Sequence, residues 1–251
     1  MFRRKQQPFN YSEAVLEISK QLRNNTIQLS DPSYQGENKK TFLAYNLNDL
    51  NKLLKSTTTK TRELLTEKGF TLSIDDRVEK TVLLNTEISE LADAVKKGLG
   101  KDAEGAEIAD IVIRATNFLC LDETYNSYQK LSNVLAQTSS NTDKVTVGAC
   151  IPDSESESKK DKYSLIEDMI VCWIEIKRAS ELLEVCCVDK MGSDKFNTAF
   201  IVLWNKVIDL IAYCSAYVTL YLPENLQYYV EYKMSVNFKR PYKYGTSEEV
   251  K

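Results

Sequence analysis

Histidine is absent from all 251 residues of the chain. That absence removes every Ser-His-Asp or Cys-His nucleophile and every zinc site that needs imidazole. The 6 cysteines include no C-x-x-C pair. Cys120, Cys150, Cys172, Cys186, Cys187 and Cys214 read as reduced thiols, most of them inside apolar helical stretches. With only 8 Gly and 5 Pro the chain lacks the turns of an all-β fold, so long helices are expected. A basic excess is missing too: 33 Lys+Arg stand against 36 Asp+Glu, a formal charge of −3. Nothing in that balance would neutralise a nucleic-acid backbone, so no nucleic-acid partner is expected. The polar opening Met1-Phe-Arg-Arg-Lys-Gln-Gln-Pro8 lacks the apolar core of a signal peptide, and a cytoplasmic protein is expected. The most apolar stretch, 196–222, is long enough to cross a bilayer, yet Asn205, Lys206 and Asp209 lie at its middle. A buried bundle helix is expected there, and no membrane.

What is present is helical periodicity. Apolar residues recur at helical spacing over 11–23 (Ala14, Val15, Ile18, Leu22), 46–68, 75–97, 102–120, 124–137, 163–188 and 196–221. A polar loop is expected around Asp31-Pro32-Ser33. Pro223 is placed to open a last helix running to about Lys239. No strand is expected, and the fold class is all-α, a helical bundle. Residues 138–162 turn Ser-, Asp- and Lys-rich and are expected to form a flexible linker. It divides N-terminal helices and an acidic hairpin (1–137) from a second helical hairpin and tail (163–251).

The acidic hairpin carries the chemistry. Glu87 and Glu90 are three apart, as are Glu107 and Asp110, so each pair projects from one face of its helix. Taking Leu84 as 0° on a helical wheel puts Leu91 at about 340° and Glu87 at about 300°, inside the apolar arc. The helix after Gly98-Leu99-Gly100 is apolar from Ile108 to Leu119 apart from Arg114, Thr116 and Asn117, so its acids face a neighbour. An antiparallel turn at the glycines would then bring four carboxylates together. Such a cluster needs cations, and hard oxygen ligands without His or Cys select Mg²⁺, with Mn²⁺ as the alternative.

At this point the residues resemble the all-α nucleoside triphosphate pyrophosphohydrolases of the MazG type. Thr86-Glu-Ile-Ser-Glu-Leu91 and Ala106-Glu-Ile-Ala-Asp-Ile-Val112 are similar to that family's E-x-x-E and E-x-x-D metal motifs. Lys233-Met-Ser-Val-Asn-Phe-Lys-Arg-Pro-Tyr242 resembles its K-M-x-x-N-x-x-R-P-Y tail. The resemblance implies a Mg²⁺-dependent hydrolase cleaving a nucleoside or deoxynucleoside triphosphate to the monophosphate and pyrophosphate. Glu87, Glu90, Glu107 and Asp110 would be its metal-binding and catalytic residues. Lys233, Asn237 and Arg240, spaced by four and three, would bind the substrate's polyphosphate and take no part in metal loading. Two alternatives stand beside it: a dUTPase- or phosphoribosyl-ATP-type pyrophosphohydrolase, and a non-catalytic helical interaction protein with a relic metal site.

The distance between the motifs departs from a compact family member. Laying Val171–Leu183 on Leu83–Val95 matches Glu175 with Glu87 and Arg178 with Glu90. Laying Trp204–Ile211 on Gly105–Val112 matches Asp209 with Asp110 and Lys206 with Glu107. The pattern reads as a tandem duplication whose second acidic site was lost. The chain is then expected to be a monomeric pseudodimer, or else a homodimer, with its two hairpins packed on each other.

Overall fold

The structure, a computed structural model, describes residues 40–138, 144–150, 155–188 and 193–241. The helix expected over 11–23, the loop at Asp31-Pro32 and the tail from Tyr242 onward lie outside the described residues. Among those described, the fold is all-α with one small strand pair. β1 (Lys40–Asn46) leads into α1 (Leu47–Glu67), and a 3₁₀ turn (Ile74–Asp76) precedes α2 (Arg77–Lys97). Next come α3 (Lys101–Cys120), α4 (Asp122–Thr138), β2 (Lys144–Cys150), α5 (Glu155–Val188), α6 (Ser193–Tyr221) and α7 (Leu226–Phe238).

Local chemistry sets most of these boundaries. The Asn46 side chain accepts from the Asn48 amide at 2.8 Å and caps α1. Ser73 caps the 3₁₀ turn through the Asp75 amide. Gly98, at φ 65°, ends α2 in the left-handed conformation that a side chain disfavours. α7 starts later than Pro223 suggested: Asn225 is its cap, accepting from the Tyr228 amide at 2.9 Å. A side-chain acceptor outcompetes a proline here because it satisfies one of the helix's orphan donors.

Two features differ from the sequence reading. The strands β1 and β2 pair antiparallel, with Leu43 opposite Val147, and Val147 is buried. Residues 138–162, expected as a linker, therefore hold a strand and the opening turns of the long helix α5. The run Lys144-Val-Thr-Val alternates polar with β-branched residues, a period-two pattern that needs a partner strand to be used. That partner lies about a hundred residues earlier in the chain.

α3 is the central helix, contacting α1, α2, α4, α6 and α7. Ile108, Ala109, Ile111, Val112, Ala115, Phe118 and Leu119 all have zero exposure. The α2–α3 and α5–α6 hairpins pack on each other, α2 against α5 and α3 against α6. Trp173 donates its indole N–H to the Thr81 carbonyl at 2.8 Å, and the Arg77 guanidinium donates to Glu184 at 2.7 Å. Deeper in, Glu104 accepts from the Lys162 ammonium at 2.7 Å and from the Tyr217 hydroxyl at 2.8 Å. α6 meets the length and hydropathy of a membrane span, but 78% of its most apolar window is buried inside the protein. Trp204, Tyr217 and Phe200 on that helix are almost wholly enclosed, each stabilising the bundle by roughly 1.5–3 kcal/mol through burial.

Candidate metal centre

Two helices supply the acids. The turn at Gly98-Leu99-Gly100 folds α3 back along α2, so the carboxylates of Glu87 and Glu90 meet that of Glu107. One oxygen from each lies within 4.8 Å of the other two. Glu87 is buried, Glu107 half-buried and Glu90 exposed, which grades the cluster from core to solvent. Asp110 sits in the same cleft but does not join the three. Its Oδ2 is held by the Lys233 ammonium at 2.5 Å.

Lys233 reaches Asp110 because α7 lies unusually close to α3. A β-carbon on Gly105 would fall 2.2 Å from Cε1 of Tyr229, so only glycine lets the ring seat there. Tyr229 is one helical turn before Lys233, and its docking therefore sets where the lysine points. The same docking brings the rest of the tail motif into place. Thr61, Leu64 and Leu65 of α1, the four acids, Ile113, Arg114, Asn117, Lys233, Asn237 and Arg240 line one cleft of about 240 Å³. All seven residues expected at the site are in it. Arg240, expected on the helical face, instead follows the end of α7, with its amide donating to the Asn237 carbonyl at 3.2 Å.

The charges in the cleft are only partly matched. Arg114 Nε donates to Glu87 Oε1 at 2.9 Å, and Lys233 covers Asp110. Among the described residues, Glu90 and Glu107 have no ion pair. Glu107 is consequently hard to ionise: burial, and then the neighbouring charges of Asp110, Glu90 and Glu87, push it up to about 7 against the pull of Lys233. Burial also raises Asp110, opposed chiefly by the Lys233 hydrogen bond.

This donor set suits a hard divalent cation. Three carboxylate oxygens converge with no imidazole or thiolate among them, an all-oxygen set that could hold a metal ion. The cleft also holds polar atoms with nothing to bind. Asn117 and Asn237 are both more than nine-tenths buried, and the Oδ1 of each has no hydrogen-bond partner among the described residues. Buried acceptors left unpaired are costly, and they are tolerated where a ligand completes them.

No protein-family model, curated protein or solved structure matches the chain. Function has to be read from the cleft itself.

Three polar cleft residues escaped the sequence reading. Arg114 is four residues after Asp110 in an otherwise apolar helix, so its place on the acidic face was legible, but its pairing with Glu87 was not. Asn117 follows Arg114 by three residues, about one turn on, and lines the same cleft. Thr61 enters from α1, and its hydroxyl meets that of Thr116 at 3.1 Å; no motif marks it. Lys233, expected at the polyphosphate, is paired here with Asp110.

Proposed function

We propose that the chain is a divalent-metal-dependent hydrolase of nucleoside or deoxynucleoside triphosphates, of the MazG type, releasing the monophosphate and pyrophosphate. The observation that carries this reading is the meeting in one cleft of an acidic quartet and a cationic tail motif, although Asp110 and Lys233 are 123 positions apart. A cluster of surface acids has no reason to attract that second motif.

Glu87, Glu90, Glu107 and Asp110 would hold Mg²⁺ or Mn²⁺. Bound there, the ion supplies charge neutralisation at the phosphate oxygens and a more acidic water. Lys233 and Arg240 bind the polyphosphate through charge-assisted hydrogen bonds. Asn117 and Asn237 offer their amides to the ligand, and Arg114 holds Glu87 in the orientation that faces the cleft.

The α5–α6 hairpin is, on the same reading, a degenerate copy of α2–α3, and the chain an internal pseudodimer needing no partner subunit. What supports this is Lys206, which stands where the first hairpin has Glu107. Its buried ammonium lies 2.9 Å from Glu175 and 3.3 Å from Asp209, the two acids aligned with Glu87 and Asp110.

Pyrophosphate release from a panel of canonical nucleoside triphosphates, dUTP and phosphoribosyl-ATP, each with Mg²⁺ or with EDTA, tests the proposal. Metal-dependent release from at least one nucleoside triphosphate is expected. Absence of release from every one of them would overturn it.

A further inference from the structure

We propose that Lys233 is a displaceable counter-ion: it occupies Asp110 in the metal-free cleft, competes with the divalent ion for that carboxylate, and on displacement turns to the polyphosphate. The inference rests on the metal-centre reading above and assigns Lys233 two successive partners where the tail motif suggested one.

The geometry points to competition because the Lys233 ammonium already sits against Asp110 Oδ2 in the cleft lined by the other acids. The Lys233 Nζ lies 2.5 Å from that oxygen, inside the space that a hard divalent ion and its ligand shell would need, since Mg²⁺ coordinates carboxylate oxygen at about 2.0–2.1 Å. Both side chains are largely buried, 17% and 16% exposed, so the ammonium is held against Asp110 with little help from water. Its alternative partner is close at hand. Lys233 shares the cleft with Asn237 and Arg240, and a polyphosphate bound by those two would lie within reach of the same flexible stem.

The second hairpin holds another ammonium between two acids. Lys206 is fixed between Glu175 and Asp209; burial alone would lower its pKa, but the two carboxylates outweigh that and leave it more firmly protonated than an ordinary lysine. There the ammonium comes from the same helix as Asp209, three residues away, and has no competing role. Lys233 instead arrives on α7, a separate short helix held to α3 through Tyr229 and Gly105. Permanent neutralisation in one hairpin and reversible neutralisation in the other follow from where each lysine is attached.

Displacement makes the two ligands mutually reinforcing. An ion on Asp110 frees Lys233 for phosphate, and phosphate that captures Lys233 opens Asp110 to the ion, which is a coupling free energy between two sites.

The test is Mn²⁺ binding to the full-length, nucleotide-free protein, followed by isothermal titration calorimetry and by the electron paramagnetic resonance of free Mn²⁺. Lys233→Met, which keeps the apolar stem, and Lys233→Gln should each bind Mn²⁺ about ten-fold or more tightly than wild type, because the competitor is gone. Lys60→Met removes the same charge from the neighbouring α1–α7 groove, where Lys60 faces Glu231 at 3.8 Å, and should change the affinity less than about two-fold by screening. Affinity in both Lys233 variants equal to or weaker than wild type overturns the inference and leaves the metal centre standing. Failure of wild type and variants alike to bind Mn²⁺ overturns the metal centre and the inference with it.

Discussion

Replacing Gly105 with alanine sets two effects of opposite sign against each other. In the middle of an exposed helix the change would stabilise by about 1 kcal/mol, since glycine is the poorest helix former after proline. Here the new methyl would lie 2.2, 2.4 and 2.8 Å from three carbons of the Tyr229 ring. Restoring an ordinary 3.4 Å contact needs the ring to retreat by roughly 1.2 Å. Tyr229 is 4% exposed and cannot swing into solvent, so α7 has to move as a unit. Overpacking of this kind costs about 1–3 kcal/mol. The net expectation is a destabilisation of roughly 0–2 kcal/mol, read by urea unfolding, together with weaker nucleotide binding because Lys233, Asn237 and Arg240 shift with α7. Adding Tyr229→Leu to Gly105→Ala should recover much of both losses. A Gly105→Ala protein about 1 kcal/mol more stable than wild type, with unchanged nucleotide affinity, would refute the close approach of α3 and α7.

Glu87→Gln and Asp110→Asn should each lower Mg²⁺-dependent hydrolysis by more than about a hundred-fold with helicity intact by circular dichroism, as each removes ligand charge at constant shape. Glu175→Gln should leave the rate within about two-fold, since its hairpin is already neutralised by Lys206. Because Glu107 is raised from an ordinary 4.5 to about 7, the folded protein holds a proton that the unfolded chain releases, and metal-free stability should fall as pH rises across that window. Denaturant titrations at about pH 5 and about pH 7.5 should show the drop, and Glu107→Gln should shrink it. Mg²⁺ affinity should weaken as pH falls below about 7, as the ion must displace that proton. Lys162→Met removes the ammonium paired with the buried Glu104 carboxylate and leaves it, among the described residues, the Tyr217 hydroxyl, and should cost about 3–5 kcal/mol in the same assay.

The parts of the site written in local spacing were legible in the sequence. Paired acids three apart and two glycines between their helices imply a hairpin with its acids together, and Glu87, Glu90 and Glu107 do converge, with Glu90 exposed, while Asp110, expected as the fourth, is held by Lys233 instead. What the sequence does not carry is which charge neutralises which. Arg114 could as well have faced Asp110, and nothing in the K-M-x-x-N run says that Lys233 closes on Asp110 instead of waiting for phosphate. The missed strands have a different cause. β1 and β2 are seven residues each, and among the described residues each pairs with the other across about a hundred intervening positions, a partnership that no local pattern announces. Composition misled at 155–162, where Ser, Glu and Lys suggested a linker although Glu and Lys are also good helix formers.

The central claim is that the acidic cleft directs hydrolysis of a nucleoside triphosphate to two specific products. Phosphorus NMR of a completed Mg²⁺ reaction measures this directly. Monophosphate and pyrophosphate in equal amounts, formed by wild type and absent with Glu90→Gln, is the predicted result; orthophosphate with nucleoside diphosphate, or the same products from the Glu90→Gln protein, would contradict it.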